Sequence, residues 1–143
     1  MQRVNEQLAA ALAAEEAAIY AYGLIGVHLA RASERTEARA AEAAHRDRRD
    51  TLISKLAQLK ADAGPAPAAY ELPFAITDRS TALKLAIQIE DGVAQSWRVV
   101  LPVSQDADRS SALSALTDAA VRATRWRRLA AVSPATMAFP GQP

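Results

Sequence analysis

The chain contains four long helix-forming segments, and the connections between them are unequal in length. The turns within the first pair and within the second pair are only a few residues long, which predicts two antiparallel helical hairpins. Between the hairpins lies GPAPAAYELPFAITD, which reaches about 50 Å when extended. A helix of about 24 residues is only about 36 Å long. The spacing therefore predicts an all-α four-helix bundle with one long crossover at residues 64–79, which leaves helices 2 and 3 parallel.

The four helices are predicted from apolar residues that recur every three or four positions, as one helix face requires. The expected spans are Asn5 to about Ser33, Thr36 to about Ala63, Asp78 or Ser80 to about Leu101, and Asp106 to about Ala131. Residues 1–131 would form the bundle. Residues 132–143 contain three prolines, and we expect this tail to be extended or poorly ordered.

Composition narrows the function classes. The chain is rich in alanine, the best helix former, and only 5% of its residues are aromatic, which disfavours strands. A formal net charge of +1 gives no electrostatic basis for binding nucleic acid or an anionic membrane. The absence of cysteine excludes disulfides and thiolate metal sites.

The N-terminal segment lacks the pattern of a targeting sequence. Its apolar residues are interrupted by Glu6, Glu15 and Glu16, unlike the apolar stretch of a signal peptide. No run approaches the 18 or more apolar residues that are typical of a membrane span. We therefore expect a cytoplasmic protein without a membrane partner.

Three of the apolar stripes carry a glutamate where a core residue is expected: Glu15, Glu42 and Glu90. His45 lies one turn after Glu42 on the same face. A buried carboxylate is costly unless it is paired, protonated or bound to a cation. Carboxylate oxygens together with an imidazole nitrogen suit Fe, Mn or Zn.

The same residues allow a simpler interpretation. Glu42 and Arg46 are spaced as an ordinary surface pair on a helix. However, Glu15 and Glu90 both lie near the middle of long helices, and in a crossover bundle helices 1 and 3 are antiparallel. The two carboxylates can then share one level, which favours an interior polar site. Tyr22, seven residues after Glu15, is either a hydrogen-bond partner of this site or a core residue.

The chain resembles the ferritin-like superfamily, specifically small actinobacterial-type ferritin-like domains of unknown function. The resemblance covers most of residues 5–131 and lies in three short motifs: Glu15-Glu16-Ala-Ala-Ile-Tyr20-Ala-Tyr22-Gly23, Glu42-x-x-His45, and Glu90. Ferritin-like di-metal proteins use a Glu from each of two helices and Glu-x-x-His from each of the other two. The resemblance implies that Glu15, Glu42 and His45 serve one metal, with Glu42 bridging and Glu90 belonging to the second.

Helix 4 departs from that pattern. Residues 106–131 contain no His and no Glu, and Asp118 is the nearest remnant of the missing motif. The second metal position therefore lacks its bridging carboxylate and its imidazole. We expect no normal di-iron oxidase or ferroxidase.

Three alternatives stay open. A single Fe or Mn is held by Glu15, Glu42 and His45, with Glu90 or water completing the shell. Alternatively, the site is metal-free, and Arg49 or an arginine of helix 4 joins the carboxylates and His45. In the third, one of the glutamates points to solvent.

For function, the sequence favours a binding or structural domain, and the alternative is a metal protein with redox or storage activity. Whether the chain is an enzyme is left open.

Small residues on secondary helix faces suggest a homodimer. No small-molecule substrate is indicated, because the chain has no phosphate-binding loop or nucleophile motif. The arginines of helix 4 point around the helix and are expected to be solvated or ion-paired.

Overall fold

Four long helices form an all-α bundle in the computed structural model, which describes residues 2–143. Their bounds are α1 Gln2–Ile25, α2 Ala32–Gln58, α3 Arg79–Arg98 and α4 Asp106–Leu129. Single 3₁₀ turns, Gly26–His28 and Leu101–Val103, follow α1 and α3. No strand is found among the described residues. The predicted fold class is confirmed.

The first two helices end earlier than predicted. α1 stops at Ile25 rather than near Ser33, and Gly26, a residue type that is unfavourable inside a helix, begins the 3₁₀ turn. α2 starts at Ala32 rather than at Thr36 and stops at Gln58, five residues short of Ala63. Lys60 then adopts a left-handed backbone with φ +55°. The end of α2 is therefore reached before Gly64, the residue that the sequence suggested as its terminator.

The third helix begins where the sequence predicts. The Asp78 side chain accepts a hydrogen bond from the Thr81 backbone at 2.8 Å, and the Thr81 hydroxyl accepts one from the Asp78 backbone at 3.1 Å. This reciprocal capping box satisfies backbone N–H groups that have no partner inside the helix.

Residues 59–78 form the long crossover between α2 and α3. Glu34 pairs with Arg79 near the start of both helices, and His45 pairs with Glu90 at their centres. In both pairs the partners are 45 positions apart, so α2 and α3 run parallel in constant register. On its way the crossover packs three apolar side chains against the core: Leu72, Phe74 and Ile76. The predicted topology is confirmed.

The core consists of two apolar clusters. One contains Leu52 and Trp97, and the other contains Ile25 and Trp126. On α2, α3 and α4, one buried polar residue falls between the members of the two clusters. The fold thus places polar groups of different helices at one level, near the middle of the bundle.

By length and composition alone the first helix could cross a membrane, although the sequence pattern predicted no such segment. The segment Arg3–His28 has a mean hydropathy of 1.4, and 44% of its most apolar window is buried inside the bundle. Its inner face packs against α2 and α3 and carries the fully buried Glu15. The apolar composition of α1 matches its position between two partner helices.

The C-terminal tail, residues 132–143, folds back onto α3 and α4. Gly141 is buried against α3, where the position of an added Cβ would lie 2.9 Å from Arg98 Cβ and 3.0 Å from the Ala94 carbonyl oxygen. Its φ of +87° is in the region that favours glycine. The tail is therefore anchored by a contact that other residues would disturb.

Candidate functional site at the centre of the bundle

At the middle of the bundle, each helix contributes one charged side chain to a shared interior cluster. Glu15 comes from α1, His45 from α2, Glu90 from α3 and Arg122 from α4. The first three are at most 1% exposed, and Arg122 is 9% exposed. We call these four residues the central network.

His45 lies between the two carboxylates. Its Nδ1 is 2.5 Å from Oε2 of Glu15, and its Nε2 is 2.9 Å from Oε2 of Glu90. Both ring nitrogens are therefore engaged by acceptors. An imidazole can donate from both nitrogens only when it is protonated, so this geometry favours the imidazolium.

Three aromatic side chains add further hydrogen bonds to the site. Trp97 Nε1 donates to Oε1 of Glu15 at 2.8 Å, and the Tyr22 hydroxyl donates to Oε2 of Glu90 at 2.5 Å. Trp126 Nε1 donates to the Tyr22 hydroxyl oxygen at 2.8 Å. The Tyr22 ring also stacks on His45, with centroids 5.7 Å apart. The aromatic side chains thus pack around the central network and also donate hydrogen bonds to its carboxylates.

Arg122 joins the network to the bundle surface. Its Nη1 donates to Oε1 of Glu90 at 3.3 Å, and its Nη2 donates to Asp118 at 2.8 Å. The side chain of Asp118 is 41% exposed. The guanidinium therefore has one buried acceptor and one solvated acceptor.

The pKa shifts follow from these contacts. Burial by itself would lower the pKa of His45, but hydrogen bonds and attraction from Glu15 and Glu90 outweigh it and raise the pKa to about 9. Burial and the Glu90 carboxylate both raise the pKa of Tyr22 well above its usual value. At neutral pH His45 carries a charge and Tyr22 does not. The imidazolium of His45 and the guanidinium of Arg122 then face the two carboxyl groups, so the formal charges of the central network cancel.

Comparison with known proteins identifies the family. The family model described as a domain of unknown function, DUF4439, matches residues 7–143. The chain belongs to the DUF4439 family. It is also similar to a crystal structure of a conserved hypothetical protein, Rv2844, from Mycobacterium tuberculosis. The two sequences are 37% identical, the TM-score is 0.84, and the match covers 90% of this chain and 97% of that one. No match was found among curated proteins.

The structure of this DUF4439 domain brings together three of the predicted site residues: Glu15, His45 and Glu90. Asp118 lies outside this group of three. Its carboxylate accepts a hydrogen bond from Arg122 and does not contact Glu15, His45 or Glu90 directly. Glu42 is not part of the network. Its side chain is 28% exposed and accepts a hydrogen bond from Arg46 at 2.9 Å. This is the surface pair that the spacing of the two residues allowed.

The sequence offered Arg49 or an arginine of helix 4 as the cation beside the carboxylates, and the structure distinguishes the two. Arg49 pairs with Asp50 at the surface, whereas Arg122 of α4 reaches Glu90. Glu15, rather than the adjacent and half-buried Glu16, takes the inward position.

The donor set of the DUF4439 domain does not fit the metal centre that the resemblance implies. A bound metal needs carboxylate oxygens and an imidazole nitrogen directed at one common point about 2.0–2.2 Å from each. Here both nitrogens of His45 point at the carboxylates themselves, and the other carboxylate oxygens accept from Trp97 and Arg122. Among residues 2–143, no group of three or more His, Asp or Glu side chains has an arrangement that could hold a metal ion. Metal binding stays a prediction.

A third buried carboxylate lies at the end of the bundle, and sequence reasoning missed it. Glu34 is 1% exposed and accepts two hydrogen bonds from Arg79, at 2.9 and 2.7 Å. Arg79 also donates to the carbonyl oxygen of Leu129 at the end of α4. The hydrogen bonds from Arg79 outweigh burial and lower the pKa of Glu34. We call Glu34 and Arg79 the end clamp. The sequence pattern did not indicate this pair, because Glu34 lies beside other charged residues at the start of α2, where a glutamate is normally exposed.

Proposed function

We propose that this DUF4439 domain is a ferritin-like bundle that acts as a structural or binding domain, without ferroxidase chemistry. In this proposal the position of the ferritin-like di-metal centre is filled by the central network. The cations of that position are supplied by the chain itself, as the imidazolium of His45 and the guanidinium of Arg122. The homodimer and the cytoplasmic location stay predictions.

The topology supports the ferritin-like assignment. Ferritin-like bundles have two helical hairpins joined by one long crossover, and their metal ligands project inward from all four helices. Residues 59–78 form such a crossover, and the central network takes one residue from each helix.

The observation that carries the proposal is the position of His45. Its two nitrogens are engaged by two carboxylates on opposite sides, so neither nitrogen has a lone pair directed at a metal. The bridging role expected of Glu42 has no candidate inside the network, because that side chain pairs with Arg46. α4 contributes a cation, Arg122, where a di-metal protein would contribute Glu and His.

Metal analysis tests the proposal. The purified protein is analysed for total metal, then titrated calorimetrically with Fe(II), Mn(II) and Zn(II) under anaerobic conditions. We expect no stoichiometric binding at micromolar metal, and no oxygen consumption above buffer when Fe(II) is added in air.

Two variants control for adventitious sites. His28→Ala removes the other histidine, and His45→Ala removes the one in the network. Stoichiometric metal that is retained by His28→Ala and abolished by His45→Ala would overturn the proposal in favour of a mononuclear Fe or Mn protein.

A further inference from the structure

The outer side of the α3–α4 hairpin carries a cavity that the central network does not touch. The tail leaves α4 through a hydrogen bond from the Val132 backbone to the carbonyl oxygen of Arg127, 2.9 Å long. It returns to α3 at Gly141. Between these two anchors the tail and the two helices line an open concavity of about 410 Å³. We call this space the tail cavity.

The walls of the tail cavity are mainly apolar. They include six aliphatic or thioether side chains: Ala94, Leu113, Leu116, Ala120, Val121 and Met137. Leu113, Val121 and Met137 are each at least 40% exposed to solvent. Single exposed apolar residues are normal on protein surfaces, but their grouping around one concavity marks an interaction site.

The polar groups of the cavity limit the charge of its occupant. Thr117, Thr124 and Thr136 are neutral polar residues of the lining, and the Thr124 hydroxyl already donates to the Ala120 carbonyl oxygen at 3.1 Å. The two charged residues of the lining, Asp91 and Arg127, are paired with each other. No uncompensated charge is therefore left among the lining residues, which favours a neutral ligand over an ion. The volume lies in the range of small-molecule pockets, which are typically apolar with a few polar groups.

We propose that the tail cavity binds a neutral, mainly apolar small molecule that places a hydrogen-bonding group at the threonine hydroxyls. The tail supplies one wall of the site, and α3 and α4 supply the others. The proposal is independent of the proposed function, because no residue of the central network lines the cavity.

The test uses N-phenyl-1-naphthylamine, a neutral aromatic probe whose fluorescence rises in apolar surroundings. We expect saturable binding of one probe per chain. Ala120→Phe adds a ring to the floor of the cavity and is expected to weaken binding at least tenfold. Ala40→Phe makes the same change at an exposed position of α2 and is expected to leave binding unchanged. Absence of saturable binding, or equal binding by the two variants, overturns the proposal.

A second variant tests the role of the tail. In Gly141→Ala the new Cβ meets Arg98 and the Ala94 carbonyl oxygen, which displaces this anchor. We expect at least fivefold weaker probe binding, with the same helical circular dichroism. Unchanged probe binding would show that the tail is not a wall of the site, and would overturn the proposal in this form.

Two further outcomes separate other occupants. Tighter binding of the anionic probe 8-anilinonaphthalene-1-sulfonate than of the neutral probe would overturn the inferred ligand class. Sedimentation distinguishes a small molecule from a second copy of the chain. If the wild type is a dimer that Ala120→Phe dissociates and the neutral probe does not bind, the cavity is an interface and the ligand proposal is overturned.

Discussion

The centre and the end of the bundle both bury glutamate, but they satisfy it differently. At the centre, Glu15 and Glu90 share one imidazole, and tryptophan, tyrosine and arginine complete their hydrogen bonds. At the end, Glu34 has a bidentate arginine partner whose side chain is 33% exposed. The arginine of the end clamp is therefore partly solvated, whereas Glu15, His45 and Glu90 of the central network are each at most 1% exposed.

This difference separates two uses of a buried charge. The end clamp ties the starts of α2 and α3 to the last turn of α4 through Arg79. The central network involves all four helices and divides the apolar core. Breaking one partner of a sealed pair leaves an uncompensated charge, which costs more than breaking a partly solvated pair. The two regions should therefore respond differently to mutation and to pH.

The largest effect is expected at His45. In His45→Leu, two buried carboxylates lose their shared cation, and we expect the free energy of unfolding to fall by about 3–5 kcal/mol. Urea unfolding followed by circular dichroism measures it. Adding Glu15→Gln removes one stranded charge, so the double variant should recover part of the loss. No recovery would mean that the loss arises from packing rather than from charge.

The second prediction concerns alkaline pH. The pKa of His45 is about 9 in the folded state and about 6.5 when the group is unperturbed. Because the folded value is higher, the bound proton stabilises the fold. Its contribution of about 3 kcal/mol is fully present below pH 6.5 and is lost as the pH rises through 9. Urea midpoints between pH 6 and pH 10 measure the loss. His28→Gln should keep the same profile, and a flat profile in the wild type would contradict the prediction.

The end clamp should respond less, and at the opposite end of the pH scale. In Arg79→Leu we expect the free energy of unfolding to fall by about 2 kcal/mol, because Glu34 can gain water when its partner is lost. The pKa of Glu34 is lowered in the folded state by Arg79. Its contribution is therefore present above the ordinary glutamate pKa and is lost as the pH falls through the folded value. An acid titration of stability that is the same in Arg79→Leu and wild type would contradict this account.

The smallest effect is expected for the surface pair. Glu42→Ala removes a partly exposed carboxylate bound to Arg46, and helix surface pairs at this spacing contribute at most about 0.5 kcal/mol. Thermal unfolding of Glu42→Ala beside His45→Leu makes the comparison within one helix. A fall of more than about 2 kcal/mol in the free energy of unfolding of Glu42→Ala would contradict this prediction and indicate that Glu42 interacts with the central network.

Most of the fold was predictable because it depends on long-range patterns. The length of the crossover predicted parallel helices 2 and 3, and the apolar stripes predicted the four helices. The helix ends were less predictable, because Gly26 ends α1 and Lys60 takes a left-handed backbone after α2. Neither residue type decides the end of a helix by itself.

The site was predictable in part. Glu15, His45 and Glu90 were expected to share one level, and they do. Glu42 was ambiguous because Ala41 and Glu42 both lie within one turn of His45. The buried residue is Ala41, which is 1% exposed, and alanine carries too weak a hydrophobic signal to mark the inner face.

The inward arginine could not be chosen from its neighbours. Four arginines lie between positions 122 and 128, and a long side chain can reach inward or outward from similar positions. Only the packed structure shows that Arg122 meets Glu90 while Arg127 meets Asp91. The sequence therefore indicated only that some arginine of helix 4 could pair with the buried carboxylates, and the structure identifies it as Arg122.

Nitrogen-15 NMR of the His45 side chain tests the central claim most directly. The spectrum is recorded at pH 7, without metal and after addition of Zn(II), with His28→Gln used to assign the signal. We predict an imidazolium with protons on both Nδ1 and Nε2, and no change on adding metal. A neutral ring whose unprotonated nitrogen shifts on binding Zn(II) would contradict the account and identify His45 as a metal ligand.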